Sequence, residues 1–284
     1  MAKILEGKQV VASMKENQKE AVAALKANGV TPTLGIIRVG EREDDIAYER
    51  GATKRCESVG VSVRGMTLPV DASQEKLVAL IQNINRDDNI HGVLLFRPLP
   101  KHMDENAVCN TLAPEKDIDG ITDGSLAGVF AGTDIGFAPC TAQACMEILD
   151  HYGYELKGKR VTVIGRSLVV GKPVAMMLMG KNATVTVCHT RTVDMPAVCR
   201  DAEILIVAAG RAGIVGRDFF SPDQVVIDVG INVDSAGKLC GDADFAAAEL
   251  VVEAITPVPG GVGTVTTSVL VDHVIQATQR AAGR

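Results

Sequence analysis

The chain has 284 residues, of which 46% are hydrophobic and 23% charged, with a formal net charge of -6. That length predicts two domains of ordinary soluble composition, and the acidic balance excludes the basic surface that non-specific nucleic-acid binding requires. No apolar run approaches the ~18 residues of a membrane helix, and Met1–Glu6 lacks the apolar stretch of a signal peptide. The expectation is therefore a cytoplasmic protein without a membrane or nucleic-acid partner. The seven cysteines (Cys56, Cys109, Cys140, Cys145, Cys188, Cys199, Cys240) are odd in number and form no CxxC pair. They predict buried reduced thiols, with no disulfide framework and no metal site.

Residues Lys8–Leu25 place Val11, Met14, Val22 and Leu25 near helical spacing, and Gly29 supplies a stop. Thr33–Val39 reads as a buried strand, Glu41–Val59 as a polar helix and Val61–Leu68 as a weaker strand. Ser73 can cap a helix running to about Ile84, and Gly92–Phe96 forms a short strand before Pro98. The second half repeats the alternation. Strands are predicted at Arg160–Ile164, Thr184–Cys188, Ile204–Ala209 and Val225–Val229, with helices near Pro173–Met179 and Pro196–Asp201. Thr266–Ala282 closes the chain as a helix. Alternating short β-branched runs and helices predict an α/β fold with parallel strands, the second half being a Rossmann-like, doubly wound nucleotide domain.

One turn carries chemistry on its face. Gly165-Arg166-Ser167 follows a strand directly, and Val170-Gly171-Lys172-Pro173 opens the next helix. A glycine permits the tight turn, and free N–H groups at the helix start suit a phosphate. Ser167 stands where the usual G-x-G-x-x-G has its middle glycine. NAD-selective sites place an acid at the end of the following strand, to bond the ribose 2′-hydroxyl. Here that strand ends Cys188-His189-Thr190-Arg191-Thr192, without an acid. Thr190 and Arg191, with Arg166, suit a 2′-phosphate, so NADP is expected over NAD. His189 is expected to cap or pack, with no chemical role.

Several segments, in order along the chain, resemble the methylenetetrahydrofolate dehydrogenase/cyclohydrolase family. They are Arg97-Pro98-Leu99-Pro100, Pro114-Glu115-Lys116-Asp117-Ile118-Asp119-Gly120, the Gly165 turn, Val226-Ile227-Asp228-Val229-Gly230-Ile231-Asn232 and Val258-Pro259-Gly260-Gly261-Val262-Gly263. The resemblance implies NADP-dependent oxidation of 5,10-methylenetetrahydrofolate by hydride transfer. It implies that Tyr48 orients the folate and acts at the reaction centre, that Asp119 grips the pterin, and that Gly260 and Gly261 approach the substrate. It assigns Gly165, Arg166, Ser167, Thr190, Arg191 and Ile231 to the cofactor, and it implies a homodimer formed through the nucleotide domains. A carboxylate suits the Asp119 role because it can accept paired hydrogen bonds from the pterin N3–H and 2-amino group. Asp117 reads as a helix or turn cap.

The sequence departs from the family at two polar positions. The family's substrate helix carries a Lys four residues after the Tyr, on the same helix face. Four residues after Tyr48 stands Ala52; Lys54 is six residues on and points roughly 120° away at 3.6 residues per turn. Arg55, seven on, returns to the Tyr48 face about two turns along. The family's Gln on the strand beneath the folate is Phe96 here. Hydride removal needs orientation, but water attack and ring opening need proton transfer. The expectation is a dehydrogenase whose cyclohydrolase activity is lost or weak, so that a separate cyclohydrolase must act in the same cell.

Three other readings stand beside it. One is the full bifunctional enzyme, with Lys54, Arg50 or Arg55 repositioned. Another is a non-catalytic folate- or NADP-binding regulator, against which the retained glycine turn and Tyr48 weigh. The last is a dehydrogenase for another small substrate, such as shikimate or an amino acid, against which the PGGVG and KDIDG segments weigh. The expected domains are 1–138, completed by a helix over 269–284, and 139–268, with a cleft between them.

Overall fold

The computed structural model describes residues 1–283, so the end of the expected 269–284 helix, Arg284, lies outside the described residues. In chain order the elements are β1 (Lys3–Ile4), α1 (Gly7–Ala27), β2 (Thr33–Val39), α2 (Glu43–Glu57), β3 (Ser62–Leu68), α3 (Gln74–Asn85), β4 (Gly92–Leu95), α4 (Glu105–Cys109) and α5 (Asp123–Ala131). There follow α6 (Cys140–His151), β5 (Arg160–Ile164), α7 (Gly171–Gly180), β6 (Thr184–Cys188), α8 (Met195–Arg200), β7 (Ile204–Val207) and β8 (Val225–Asp228). The chain ends with β9 (Asn232–Val233), β10 (Leu239–Cys240), α9 (Phe245–Glu249), β11 (Ala254–Ile255) and α10 (Val262–Ala282).

The chain forms two compact units, one of residues 13–140 with 267–284 and the other of residues 1–12 with 141–266. In the first, β2 is the central strand of a parallel sheet ordered β3-β2-β4. A strand covered on both faces should be apolar throughout, and six of the seven β2 residues are buried. Ile37, Val93 and Leu95 of the sheet pack with Leu77 and Ile81 of α3. The predicted cap forms: the Ser73 side chain accepts the Lys76 N–H. The Asp117 carboxylate accepts the N–H groups of Ile121 at 3.0 Å and Thr122 at 2.8 Å, a turn cap as expected.

The second unit is built on a six-stranded parallel sheet ordered β1-β11-β8-β7-β5-β6. Strands β7 and β8 are buried along their whole length, as continuous β-branched runs predict for a doubly wound sheet. The antiparallel pair β9–β10 lies apart from this sheet.

Three expectations are corrected. Residues 1–12, expected in the first domain, group with 141–266, because β1 pairs in parallel with β11. A two-residue strand has no periodicity to read. The closing helix starts at Val262 rather than Thr266. Val262, Val265 and Val269 are all buried and recur at helical spacing, which draws Gly263 into the first turn. The α5 and α6 helices were not anticipated. In α5 Thr122 supplies the cap, its side chain accepting the Ser125 N–H.

Candidate active site

The substrate-side candidates lie in the unit of residues 13–140 and 267–284. Tyr48 stands on α2 and remains 40% exposed. Its hydroxyl bonds to Thr267, and burial, followed by the nearby Asp119 and Cys140, pushes its pKa above the usual phenol value. The phenol therefore stays protonated and donates or accepts without ionising. Its ring meets Phe96 edge to face, with centroids 5.8 Å apart.

Ala52, one turn on from Tyr48, is 1% exposed. Lys54 is exposed, as its helical phase requires. Arg55 is half-buried, and its Nη2 donates to the Ser268 hydroxyl at 2.6 Å. The α2 face beside Tyr48 thus carries a methyl group, with a guanidinium farther along committed to α10.

Asp119 lies within the turn capped by Asp117. Burial pushes its carboxyl up to about 6, against the opposing effects of the Cys140 thiol and main-chain N–H, which bond to it, and of the Arg97 charge. Behind it, two buried side chains converge on the Ile118 carbonyl: His273 Nδ1 at 2.8 Å and the Cys140 thiol at 3.2 Å. Donation to a carbonyl assigns the proton to Nδ1, and burial lowers the His273 pKa, keeping the ring neutral. The Phe137 ring lies 4.9 Å from the imidazole. Nothing local marks Cys140, Thr267 or His273 for this site: Cys140 and His273 reach the Ile118 carbonyl across 22 and 155 residues, and Thr267 reaches Tyr48 from α10.

The cofactor-side candidates lie in the unit of residues 1–12 and 141–266. Gly165 directly follows β5 at φ +121°, and a Cβ there would stand 2.2 Å from the Ala208 carbonyl oxygen. A Cβ on Gly171, where α7 begins, would stand 2.2 Å from the Gly165 oxygen. Both glycines are obligatory, and the helix start sits directly against the turn. The Ser167 hydroxyl accepts the Val170 N–H at 3.1 Å, shaping the loop. Arg166, Thr190 and Arg191 are exposed, and their side chains make no hydrogen bond or ion pair among the described residues. Two cations with free donors beside a glycine cradle fit a phosphorylated dinucleotide. His189 caps its own turn: its Nδ1 accepts the Arg191 N–H at 3.1 Å and its main-chain N–H donates to the Thr192 hydroxyl.

Ile231 is 66% exposed. A Cβ on Gly263 would meet its Cδ1 at 3.2 Å, so Ile231 lies against the start of α10. Gly260, at φ +107°, accepts the Gly7 N–H at 2.8 Å, and a Cβ on Gly261 would stand 2.5 Å from the Pro257 oxygen. Gly260 and Gly261 belong to the same unit as the cofactor turn. All seven cysteines are free, and only Cys240 is not buried. No group of side chains able to hold a metal ion occurs among the described residues, and no helix of them is long and apolar enough to cross a membrane.

Residues 5–119 match the tetrahydrofolate dehydrogenase/cyclohydrolase catalytic domain, and residues 139–282 match the NAD(P)-binding domain of the same family. The chain belongs to the tetrahydrofolate dehydrogenase/cyclohydrolase family. It is 52% identical to the bifunctional protein FolD of Carboxydothermus hydrogenoformans, over 98% of this chain and 97% of that protein. Among solved structures it is similar to the bifunctional FolD of Campylobacter jejuni, with a TM-score of 0.95, 36% identity and 99% of each chain covered. It is also similar to a Trypanosoma brucei family member crystallised with NADP and an inhibitor, with a TM-score of 0.91, 34% identity and 100% and 99% of the two chains covered. The chain is thus a methylenetetrahydrofolate dehydrogenase/cyclohydrolase-family enzyme, with an α/β catalytic domain and a Rossmann-like NAD(P)-binding domain. The first binds the folate substrate.

Proposed function

We propose that this enzyme oxidises 5,10-methylenetetrahydrofolate to 5,10-methenyltetrahydrofolate with NADP, and that its cyclohydrolase activity is weak or lost. The observation that carries the second half is Ala52, a buried methyl group one turn from Tyr48 where the family resemblance places Lys.

In the dehydrogenase step a hydride leaves the bridging carbon with its electron pair, and the neighbouring nitrogen lone pair forms the C=N bond of the methenyl cation. No proton is transferred, so no general base is needed. The dinucleotide, when bound, supplies the hydride acceptor. The chain's part is orientation: Tyr48 sets the folate ring and Asp119 accepts the pterin N–H groups; Gly260 and Gly261 are assigned to the substrate on the family resemblance. Gly165, Ser167 and Ile231 line the dinucleotide site, and Arg166, Thr190 and Arg191 hold the 2′-phosphate. The NADP-bound Trypanosoma relative supports that choice of cofactor.

Cyclohydrolase chemistry requires water to add to the methenyl carbon and protons to move as the ring opens. Ala52 and Phe96 offer no titratable group, and Arg55 does not deprotonate. A second reading, the full bifunctional enzyme, is favoured by the bifunctional names of the relatives. It would need Lys54 or another group to do this work. The proposal includes a cytoplasmic homodimer formed through the nucleotide domains, on the strength of the family resemblance.

A paired assay on one preparation decides between the readings. Methylenetetrahydrofolate oxidation is measured with NADP and with NAD, and then methenyltetrahydrofolate hydrolysis above the buffer rate. Oxidation that prefers NADP, without enzymatic hydrolysis, is the expected result. Hydrolysis at rates comparable to dehydrogenase turnover establishes the bifunctional reading instead.

A further inference from the structure

Two carboxylates with no place in the hydride step lie together in the unit of residues 1–12 and 141–266. Asp228 ends β8 and Asp242 follows β10, and they are 3% and 0% exposed. A buried carboxylate persists only when its oxygens are fully hydrogen-bonded. Both are. Asp242 Oδ2 accepts the Gly210 N–H at 2.7 Å, while Oδ1 accepts the Arg211 N–H at 2.9 Å and the Asn232 amide at 2.8 Å. Asp228 Oδ1 accepts the N–H groups of Gly230 at 2.9 Å and Asp242 at 3.1 Å, and its Oδ2 accepts the Ala243 N–H at 2.9 Å. Asp228 therefore seats Asp242, and Asp242 seats two loops at once.

Those loops follow β7 and β8. In a doubly wound sheet the ligand lies outside the carboxyl ends of the strands, where such loops form its walls. The packing leaves little freedom: a Cβ on Gly230 would come within 2.4 Å of Asp242, and one on Gly241 within 1.9 Å of Asp228. Ile231, exposed between Gly230 and Asn232, is carried on the segment so fixed.

We propose that Asp242, seated by Asp228, is a positioning residue for the dinucleotide, setting the loop of Gly210 and Arg211 against the loop of Ile231. The proposal rests on the reading of this unit as the NADP site. A carboxylate is required rather than an amide. In Asp242→Asn the side chain has one acceptor atom in place of two, and its amide NH2 must face the N–H of either Gly210 or Arg211. Asn232 can turn its own amide over to compensate, but a main-chain N–H cannot, so one main-chain bond is lost in either orientation.

The test titrates NADPH, followed by its fluorescence, into the wild-type enzyme, Asp242→Asn and Asn232→Ala, with melting curves and steady-state kinetics on each. For D242N the expected result is a rise of about tenfold in the NADPH Kd and the NADP KM, the size of one lost bond to a charged group. The KM for the folate should stay within twofold. N232A keeps both main-chain bonds and should raise the Kd by about threefold. A folded D242N that binds NADPH within twofold of wild type overturns the proposal. So does an unchanged Kd for N232A where D242N does not fold. A wild-type enzyme that binds no NADPH overturns the dinucleotide reading itself, and this proposal with it.

Discussion

The Tyr48 and Phe96 rings meet edge to face, with centroids 5.8 Å apart and planes at 84°. Ala52, four residues on along the same helix, is buried, so the neighbours established for the Tyr48 ring and its helix face here are hydrocarbon. An aromatic contact of this kind is worth about 0.5–1.5 kcal/mol beyond area burial. It fixes the Tyr48 ring without supplying a proton.

Restoring the two polar groups should restore hydrolysis. Ala52→Lys with Phe96→Gln is expected to raise methenyltetrahydrofolate hydrolysis at least tenfold over wild type, in keeping with the usual 10²–10⁴-fold reach of positioned acid–base groups. Dehydrogenase turnover should fall by no more than about fivefold, since hydride transfer depends on orientation alone. The decay of methenyl absorbance measures the first and dinucleotide reduction the second. A folded double variant with no added hydrolysis would show that Ala52 and Phe96 are not what limits the activity.

Asp119 should set an acid limit on folate binding. Its carboxyl is pushed up to about 6, and only the ionised form accepts both pterin donors. Below about pH 6, kcat/KM for the folate should fall tenfold per unit, while the KM for NADP changes little. Asp119→Asn should bind folate poorly and lose this limb of the profile. A flat profile from pH 7 to 5 in the wild-type enzyme would remove Asp119 from the pterin site.

His273 should make the fold acid-sensitive. Burial lowers its folded-state pKa below 6.5, the ordinary value. The unfolded chain therefore binds a proton that the folded one refuses, and stability contributed by the neutral ring declines as pH falls below about 6.5. His273→Asn keeps a donor for the Ile118 carbonyl but does not titrate. It should cost about 1–2 kcal/mol at pH 8 through lost packing, and the gap from wild type should narrow as the pH drops to 5. Urea melts at both pH values give the comparison, and a constant gap refutes the assignment.

Arg191 should discriminate between the cofactors. Arg191→Ser is expected to raise the NADP KM about tenfold, the loss of one charge-assisted bond at an exposed site. The NAD KM should move by less than twofold. Equal effects on both cofactors would mean that Arg191 does not touch a 2′-phosphate.

Two glycines should respond oppositely to alanine. Gly51 lies inside α2 with nothing within 4 Å of an added Cβ, so Gly51→Ala should stabilise by about 0.5–1 kcal/mol. Gly165→Ala forces a Cβ to 2.2 Å from the Ala208 oxygen at φ +121°. It should cost about 3 kcal/mol or more and abolish dinucleotide binding. Thermal melts and NADPH fluorescence report both effects.

The α/β class, most of the strands and the family resemblance were legible along the chain, because β-branched runs and glycine turns are local signals. Thr33–Val39, Arg160–Ile164 and Thr184–Cys188 are strands over the same residues in the structure. The departure at Ala52 was legible too, once the family resemblance placed a Lys there, since helical phase puts Ala52 on the Tyr48 face and Lys54 off it. The rest came from pairings between distant segments. A two-residue strand such as β1 is made by its partner β11, and no window along the chain contains that pairing. Nothing local in the sequence marks Asp242. Only the fold, bringing Gly210 and Arg211 from 32 and 31 residues away and Asn232 from 10, turned it into a buried clamp. His273 reaches Ile118 across 155 residues in the same way. A hydrogen bond between groups distant in sequence leaves no periodic trace, so the residues that hold the candidate site in place emerge only once the chain has closed on itself.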